Sequence, residues 1–137
     1  MKHLIIIILC AVSFSAKAQT VTITNNERCA ITVQQFCFKK PVCAASSPGT
    51  IVTVACCGGT ATISIPTCTP TPPMYSGFQV CWSSTLCTPL PCTYIVTNNN
   101  PFCYGPTATL PGCADCASPN INGTIVYNPL TQTLSAN

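Results

Sequence analysis

Charge is almost missing from this chain. Five lysines and arginines and two carboxylates are spread over 137 residues, and the single histidine is His3. Beyond residue 18 only Glu27, Arg28, Lys39, Lys40 and Asp115 can carry charge. This excludes an imidazole base, a histidine-ligated metal and Ser-His-Asp or Cys-His machinery. It also leaves no clustered lysines and arginines to meet a nucleic-acid backbone. Glycoside hydrolysis would need a carboxylate pair, and only Glu27 and Asp115 are available. Glu27 beside Arg28 reads as a solvated turn pair, and Asp115, between Cys113 and Cys116, reads as a turn former. Lys39 and Lys40, flanked by Phe38 and Pro41, read as a wet turn rather than as bases for a serine nucleophile. No glycine-rich phosphate loop occurs. The expectation is a non-enzymatic protein with no catalytic residue, no metal and no cofactor.

Long apolar runs are missing too. The longest, Leu4 to Val12, falls short of the roughly 20 residues that span a bilayer. With Lys2 before it and Ala16-Lys17-Ala18 behind, it reads as an export signal cleaved near Ala18. Cys10 does not make a lipoprotein signal, because Leu9 stands where a small residue is expected. Residues 1–18 are therefore expected to be the signal peptide and residues 19–137 one domain, with no membrane span.

Helical periodicity is the third absence. Thirteen prolines, seven glycines and twenty threonines favour short strands and tight turns. Strands are expected at 20–24, 30–38, 50–57, 60–65, 78–83, 93–97, 104–110 and 124–128. Seven or eight strands at this spacing imply an all-β fold, a disulfide-rich antiparallel β-sandwich of immunoglobulin-like type. Gly58-Gly59 between two alternating runs predicts a two-residue hairpin. Its register pairs Cys57 with Thr60 and Val54 with Ile63, and it places Val52, Val54, Cys56, Ala61, Ile63 and Ile65 on one buried face. Phe36 and Phe38 are out of step with Ile31 and Val33, which predicts a bulge near Gln34-Gln35. Phe78, Val80 and Trp82 form an inward stripe that leaves Cys81 facing the other way.

Cysteine is what the chain has in abundance. Twelve of its thirteen lie beyond the leader: Cys29, Cys37, Cys43, Cys56, Cys57, Cys68, Cys81, Cys87, Cys92, Cys103, Cys113 and Cys116. An even number behind an export signal predicts a fully paired disulfide framework rather than a thiolate metal site. Local staples are expected for Cys37–Cys43, Cys87–Cys92 and Cys113–Cys116. Cys56, on the inward face, is expected to pair with Cys29, and Cys57 to point away.

The leader end Lys17-Ala18-Gln19-Thr20, with Val21 to Cys29 (VTITNNERC), resembles small secreted cysteine-rich proteins of Bacteroidota. The resemblance covers about thirty residues. It implies a bacterial periplasmic or extracellular location. The strand–asparagine–cysteine opening is also similar to thaumatin-like domains, whose acidic cleft two carboxylates cannot supply.

By elimination the expected function is extracellular binding, with rigid loops at 69–77 and 98–106 presented to a glycan or a protein. Tyr75, Phe102 and Tyr104 are the candidate binding residues, because they lie in proline-flanked loops with no assigned core place. The alternative is a structural or assembly subunit of a cell-surface matrix or appendage, since low charge does little to oppose self-association. Protease inhibition and ice binding are minor alternatives. Thr-x-Thr recurs at 20/22/24, 60/62, 67/69/71, 107/109 and 131/133, but with no fixed period.

Overall fold

The computed structural model describes residues 19–39, 42–69, 74–84, 90–97, 103–113 and 122–137. The leader, Lys40, Cys87, Phe102, Asp115 and Cys116 lie outside these residues.

The described chain is all-β. Its strands are β1 (Thr20–Asn25), β2 (Ile31–Lys39), β3 (Ala44–Ser46), β4 (Ile51–Val54) and β5 (Gly59–Ser64). They continue with β6 (Met74–Trp82), β7 (Cys92–Val96), β8 (Thr107–Leu110), β9 (Gly123–Asn128) and β10 (Thr133–Ala136). The first sheet has the order β5-β1-β10-β9-β8. The second runs β3-β2-β6-β7, with β4 also paired to β2. All pairings are antiparallel except that of β1 with β10.

Alternation builds the core between the sheets. Val21, Ile23, Ile63, Leu110, Ile125 and Leu134 meet Ile31, Val33, Val54, Phe78, Val80 and Ile95, and all are buried in one cluster. Each such side chain contributes about 1.5–3 kcal/mol when fully buried. The stripe of Phe78, Val80 and Trp82 points inward as expected, and Cys81 is bonded to Cys92 on the neighbouring strand of the same sheet.

The expected hairpin at 50–65 is overturned. β4 pairs with β2 in one sheet and β5 pairs with β1 in the other, so this turn crosses between sheets. The face assignment holds for five of its six residues; Cys56 stands outside the core cluster, its thiol hydrogen-bonded to that of Cys57. Val54 and Ile63 are buried, and Val52, Ala61 and Ile65 pack against the core. Alternation specifies which residues face a core, and a hairpin and a crossing satisfy it equally. The turn residues do not discriminate either, since Gly58 with φ 91° and Cys57 with φ 60° serve a tight reversal in either setting.

A neighbouring crossing decides the matter. β1 and β2 also lie in different sheets, and their connection is laced to the β4–β5 turn. The Cys57 N–H donates to the Glu27 carbonyl (2.8 Å) and the Gly58 N–H to the Asn25 carbonyl (2.7 Å). The fully buried Asn25 amide faces the carbonyls of Cys29 (2.7 Å), Ala55 (3.0 Å) and Val54 (3.4 Å), while its oxygen accepts from the Glu27 N–H. An amide nitrogen has two protons, so the two shorter contacts take them.

The expected bulge in β2 is also overturned. β2 pairs with β6 in unbroken register from Ile31↔Trp82 to Lys39↔Met74. The irregularity lies on the opposite edge. Continuing the Gln34↔Ile51 register would set Cys37 against residue 48, yet it faces Ser46. Gln35 therefore points inward, where its amide oxygen accepts from the Thr50 N–H (2.9 Å) and its nitrogen donates to Ser64 on β5. Glycine at 49 is required, because a Cβ there would collide with the Gln35 amide oxygen.

Two strands are new. β3 is only three residues long. β10 holds one large apolar residue, Leu134, and becomes a strand because β1 and β9 pair with it on both sides. Replacing Asn25 by leucine removes the amide and leaves buried carbonyls unpaired. It should lower the unfolding free energy by about 1–3 kcal/mol, as read by denaturant titration with an unchanged slope.

Candidate functional site

The absence of a bulge sends two phenylalanines to the outer face of the second sheet. Phe36 and Phe38 lie opposite in parity to Ile31 and Val33, and Tyr94 of β7 joins them from across β6. Gly77 of β6 lies between them. A Cβ at that position would run into the Phe38 ring and the Ile95 carbonyl, so glycine gives Phe38 its seat. Tyr104 closes over the group from the segment before β8. Ring centroids are 5.3 Å apart for Phe38–Tyr104, 5.6 Å for Phe38–Tyr94 and 5.2 Å for Tyr94–Tyr104. Phe36 meets Tyr94 edge-on at 6.3 Å. These separations suit the quadrupolar attraction of tilted rings, about 0.5–1.5 kcal/mol for each pair.

Phe38 is fully buried, whereas Phe36, Tyr94 and Tyr104 keep part of their surface in solvent. The result is an aromatic platform on a small core of its own. The Gln79 amide donates to the Tyr94 hydroxyl at 2.9 Å, fixing that ring's polar end. The Cys43–Cys103 bridge, across 60 residues, ties the Tyr104 segment to the turn that follows β2.

Of the three candidate binding residues, Tyr104 stands in this platform. Tyr75 belongs to β6, not to a loop, and is in register with Phe38. Phe102 lies outside the described residues. Phe36 and Tyr94 were missed as site residues. The signal for Phe36 is its broken parity with Ile31 and Val33, which a bulge accounts for equally; Tyr94 has none, because only the pairing of β7 with β6 brings it there.

The bridges differ from the expected staples. Cys37 bonds Cys68, Cys43 bonds Cys103 and Cys81 bonds Cys92. Cys37–Cys43 and Cys87–Cys92 are thereby overturned. Spacing alone favoured them, but strand pairing carries Cys92 beside Cys81. Cys29 and Cys113 are also disulfide-bonded. Cys56 and Cys57 are free thiols, which overturns both the Cys29–Cys56 pair and the fully paired framework. Cys56 is half-buried and Cys57 exposed at the crossing turn. A hydrogen bond with the Cys56 thiol raises Cys57 above its ordinary value of 9.0, aided by slight desolvation, while Arg28 pulls the other way.

A polar cleft of about 320 Å³ opens at one end of the sandwich, lined by Gln19, Ser76, Thr97, Tyr127 and Gln132 among others. Burial pushes the Tyr127 phenol above its ordinary 10.0. Among the described residues, no three His, Cys, Asp or Glu side chains are placed to share a metal ion. No helix among them is long and apolar enough to cross a membrane. The three bridges fit an oxidising compartment outside the cytoplasm. No protein-family model, curated protein or solved structure matches this chain.

Two measurements check these assignments. Alkylation of the unreduced protein, mapped by mass spectrometry, should label Cys56 and Cys57 and spare Cys37, Cys68, Cys81 and Cys92. Replacing Cys56 by alanine should speed labelling of Cys57 at neutral pH, since the bond that holds its proton is gone. For Tyr127, the unfolded chain releases the phenol proton near 10.0 and the folded chain only at higher pH. The folded state then holds more protons, so stability should fall as pH rises through that interval. Tyr127→Phe should remove that part of the loss and delete one phenol step above 10.0 from a spectrophotometric titration.

Proposed function

We propose that this is an exported, non-enzymatic binding module that holds a glycan against the aromatic platform of its second sheet. The single observation that carries the reading is the platform itself: Phe36, Tyr94 and Tyr104, partly exposed around a buried Phe38, with the Tyr104 segment tethered by Cys43–Cys103. Flat rings offer apolar area to the faces of sugar rings, and a tethered loop loses little freedom on binding. The near absence of charge suits an uncharged polyhydroxyl ligand. It also supports a non-catalytic role, since Glu27 is the only carboxylate side chain among the described residues.

On this reading the leader is removed near Ala18 and residues 19–137 act outside the cytoplasm as one domain. Parallel pairing of the first strand with the last, and Trp82 packed in the core, support an immunoglobulin-like description of the sandwich.

Affinity electrophoresis through soluble envelope polysaccharide tests the reading. The wild-type chain should be retarded. Tyr94→Ala and Tyr104→Ala should each weaken binding by about 1 kcal/mol, roughly fivefold in Kd. Thr53→Ala, an exposed change on β4, should not. Undiminished retardation in a folded Tyr94→Ala, Tyr104→Ala double mutant would remove the platform from the function.

A further inference from the structure

At one end of the sandwich the inward stripes turn polar. On β9 Ile125 is followed two residues on by Tyr127, at the end of β7 Ile95 is followed by Thr97, and on β6 Phe78 is preceded by Ser76. These three side chains, with Gln19 and Gln132, line the cleft of about 320 Å³. Tyr127 is only 4% exposed, yet its hydroxyl makes no hydrogen bond to any described residue. The side-chain amides of Gln19 and Gln132 are likewise unpaired among the described residues. Their backbones are fixed. The Gln19 carbonyl accepts from the Ile65 N–H (2.7 Å), and the Gln132 carbonyl from the Thr22 N–H (3.0 Å). A buried hydroxyl without a partner is costly, and this one borders a cleft with room for a partner.

We infer that this cleft holds one neutral sugar ring, the end of the glycan that lies across the aromatic platform. The inference rests on the glycan reading of that platform. The donors and acceptors of the cleft match a ring of hydroxyls. Burial raises the Tyr127 phenol above 10.0, so it stays protonated and can donate. Ser76 donates its own proton to the Pro66 carbonyl (2.9 Å) and Thr97 to the Ser76 carbonyl (3.1 Å), which leaves both side-chain oxygens open as acceptors. The two glutamine amides can do either. Ile65 and Pro129 add apolar surface for the C–H faces of the ring. The volume stands at the small end of ligand pockets, and no lining residue could pair with a charged ligand.

One short segment joins the platform to the cleft. Tyr104 packs on the platform, the Gly105 carbonyl accepts from the Val96 N–H (3.3 Å), and the Pro106 carbonyl accepts from the Tyr127 N–H (2.7 Å). Two chain steps and one hydrogen-bonded crossing separate the backbones of Tyr104 and Tyr127, at most about 12 Å. A few linked sugar rings span that distance. The platform then carries the flat faces of the chain and the cleft its last ring, so the module reads the end of a polymer rather than its middle.

The test is saturation-transfer NMR of the exported chain with glucose, galactose, mannose and rhamnose, and with acetyl-alanine amide as a neutral non-sugar. Wild type and the control Thr53→Ala should transfer saturation to at least one sugar and not to the amide. Tyr127→Phe and Gln132→Gly should each raise the Kd of that sugar about fivefold. Glycine suits the left-handed backbone at 132 (φ 51°) and removes only the amide. The same free sugar should compete with retardation of the wild type by envelope polysaccharide. Circular dichroism confirms folding, and Gln132→Gly provides the reading if Tyr127→Phe does not fold. Absence of transfer to every sugar in the wild type would overturn the inference. So would an unchanged Kd in a folded double variant, or an equal response to acetyl-alanine amide. A chain retarded by polysaccharide that binds none of the sugars keeps the platform and loses the cleft. A chain that binds a sugar through Tyr127 but is not retarded keeps the cleft and loses the platform.

Discussion

Asn25 ends β1 with its amide turned into the protein, against the carbonyls of Cys29 and Ala55. Those two acceptors lie on separate connections, one leading into β2 and the other leaving β4. Both connections cross from one sheet to the other, and backbone bonds from Cys57 and Gly58 lace them together. Backbone groups at such crossings have left one ladder and not yet joined the next, so a buried corner is costly unless something supplies partners. Asn25 supplies them, and its oxygen takes the Glu27 N–H as well. Because the amide is fully buried, water cannot substitute for it. The relative placement of the two sheets, and so of the two outer faces, follows from this corner.

Gln35 plays a related part farther along β2. It reaches from the second sheet to Ser64 on the first and accepts the Thr50 N–H where the partner strand loops out. Two buried amides thus clasp the layers, while the placed bridges fasten what lies around the core. Cys81–Cys92 joins neighbouring strands across 11 residues, whereas Cys43–Cys103 spans 60. In the chain-entropy model the longer closure contributes about 4 kcal/mol and the shorter about 3. The longer one also fastens the start of the segment before β8, and that segment carries Tyr104. What it secures is the platform more than the core.

The platform and the cleft show how differently a site can be recorded in a sequence. Phe36 and Phe38 announced themselves by breaking the parity of Ile31 and Val33, and a bulge was the economical explanation while only one buried face was in view. The second small core made the break intelligible: Gly77 leaves room, Tyr94 lies across the sheet and Tyr104 covers the outside. Tyr104 was legible as an aromatic without a core place. Tyr94 was not, because its role depends on which strand lies beside β6. The cleft left no mark along the chain, because Ser76, Thr97 and Tyr127 lie far apart in sequence and each ends a separate inward stripe. Only the facing of the two sheets brings them to one end of the sandwich, beside Gln19 and Gln132 from opposite ends of the described chain.

From the sequence by itself came the all-β class, the inward and outward sense of most strands, and the scarcity of charged chemistry. These are local properties: alternation, threonine and proline content, and the identity of side chains present or missing. Tertiary structure alone decided that residues 50–65 cross between sheets, that 133–136 form a central strand, and that Cys56 and Cys57 stay reduced beside three placed bridges. Alternation has the same form whether the facing strand lies in the same sheet or across the core. A cysteine's partner is likewise set by which strands become neighbours. Both depend on long-range pairing, which is fixed by the buried amides and the shared core rather than by any local run of residues.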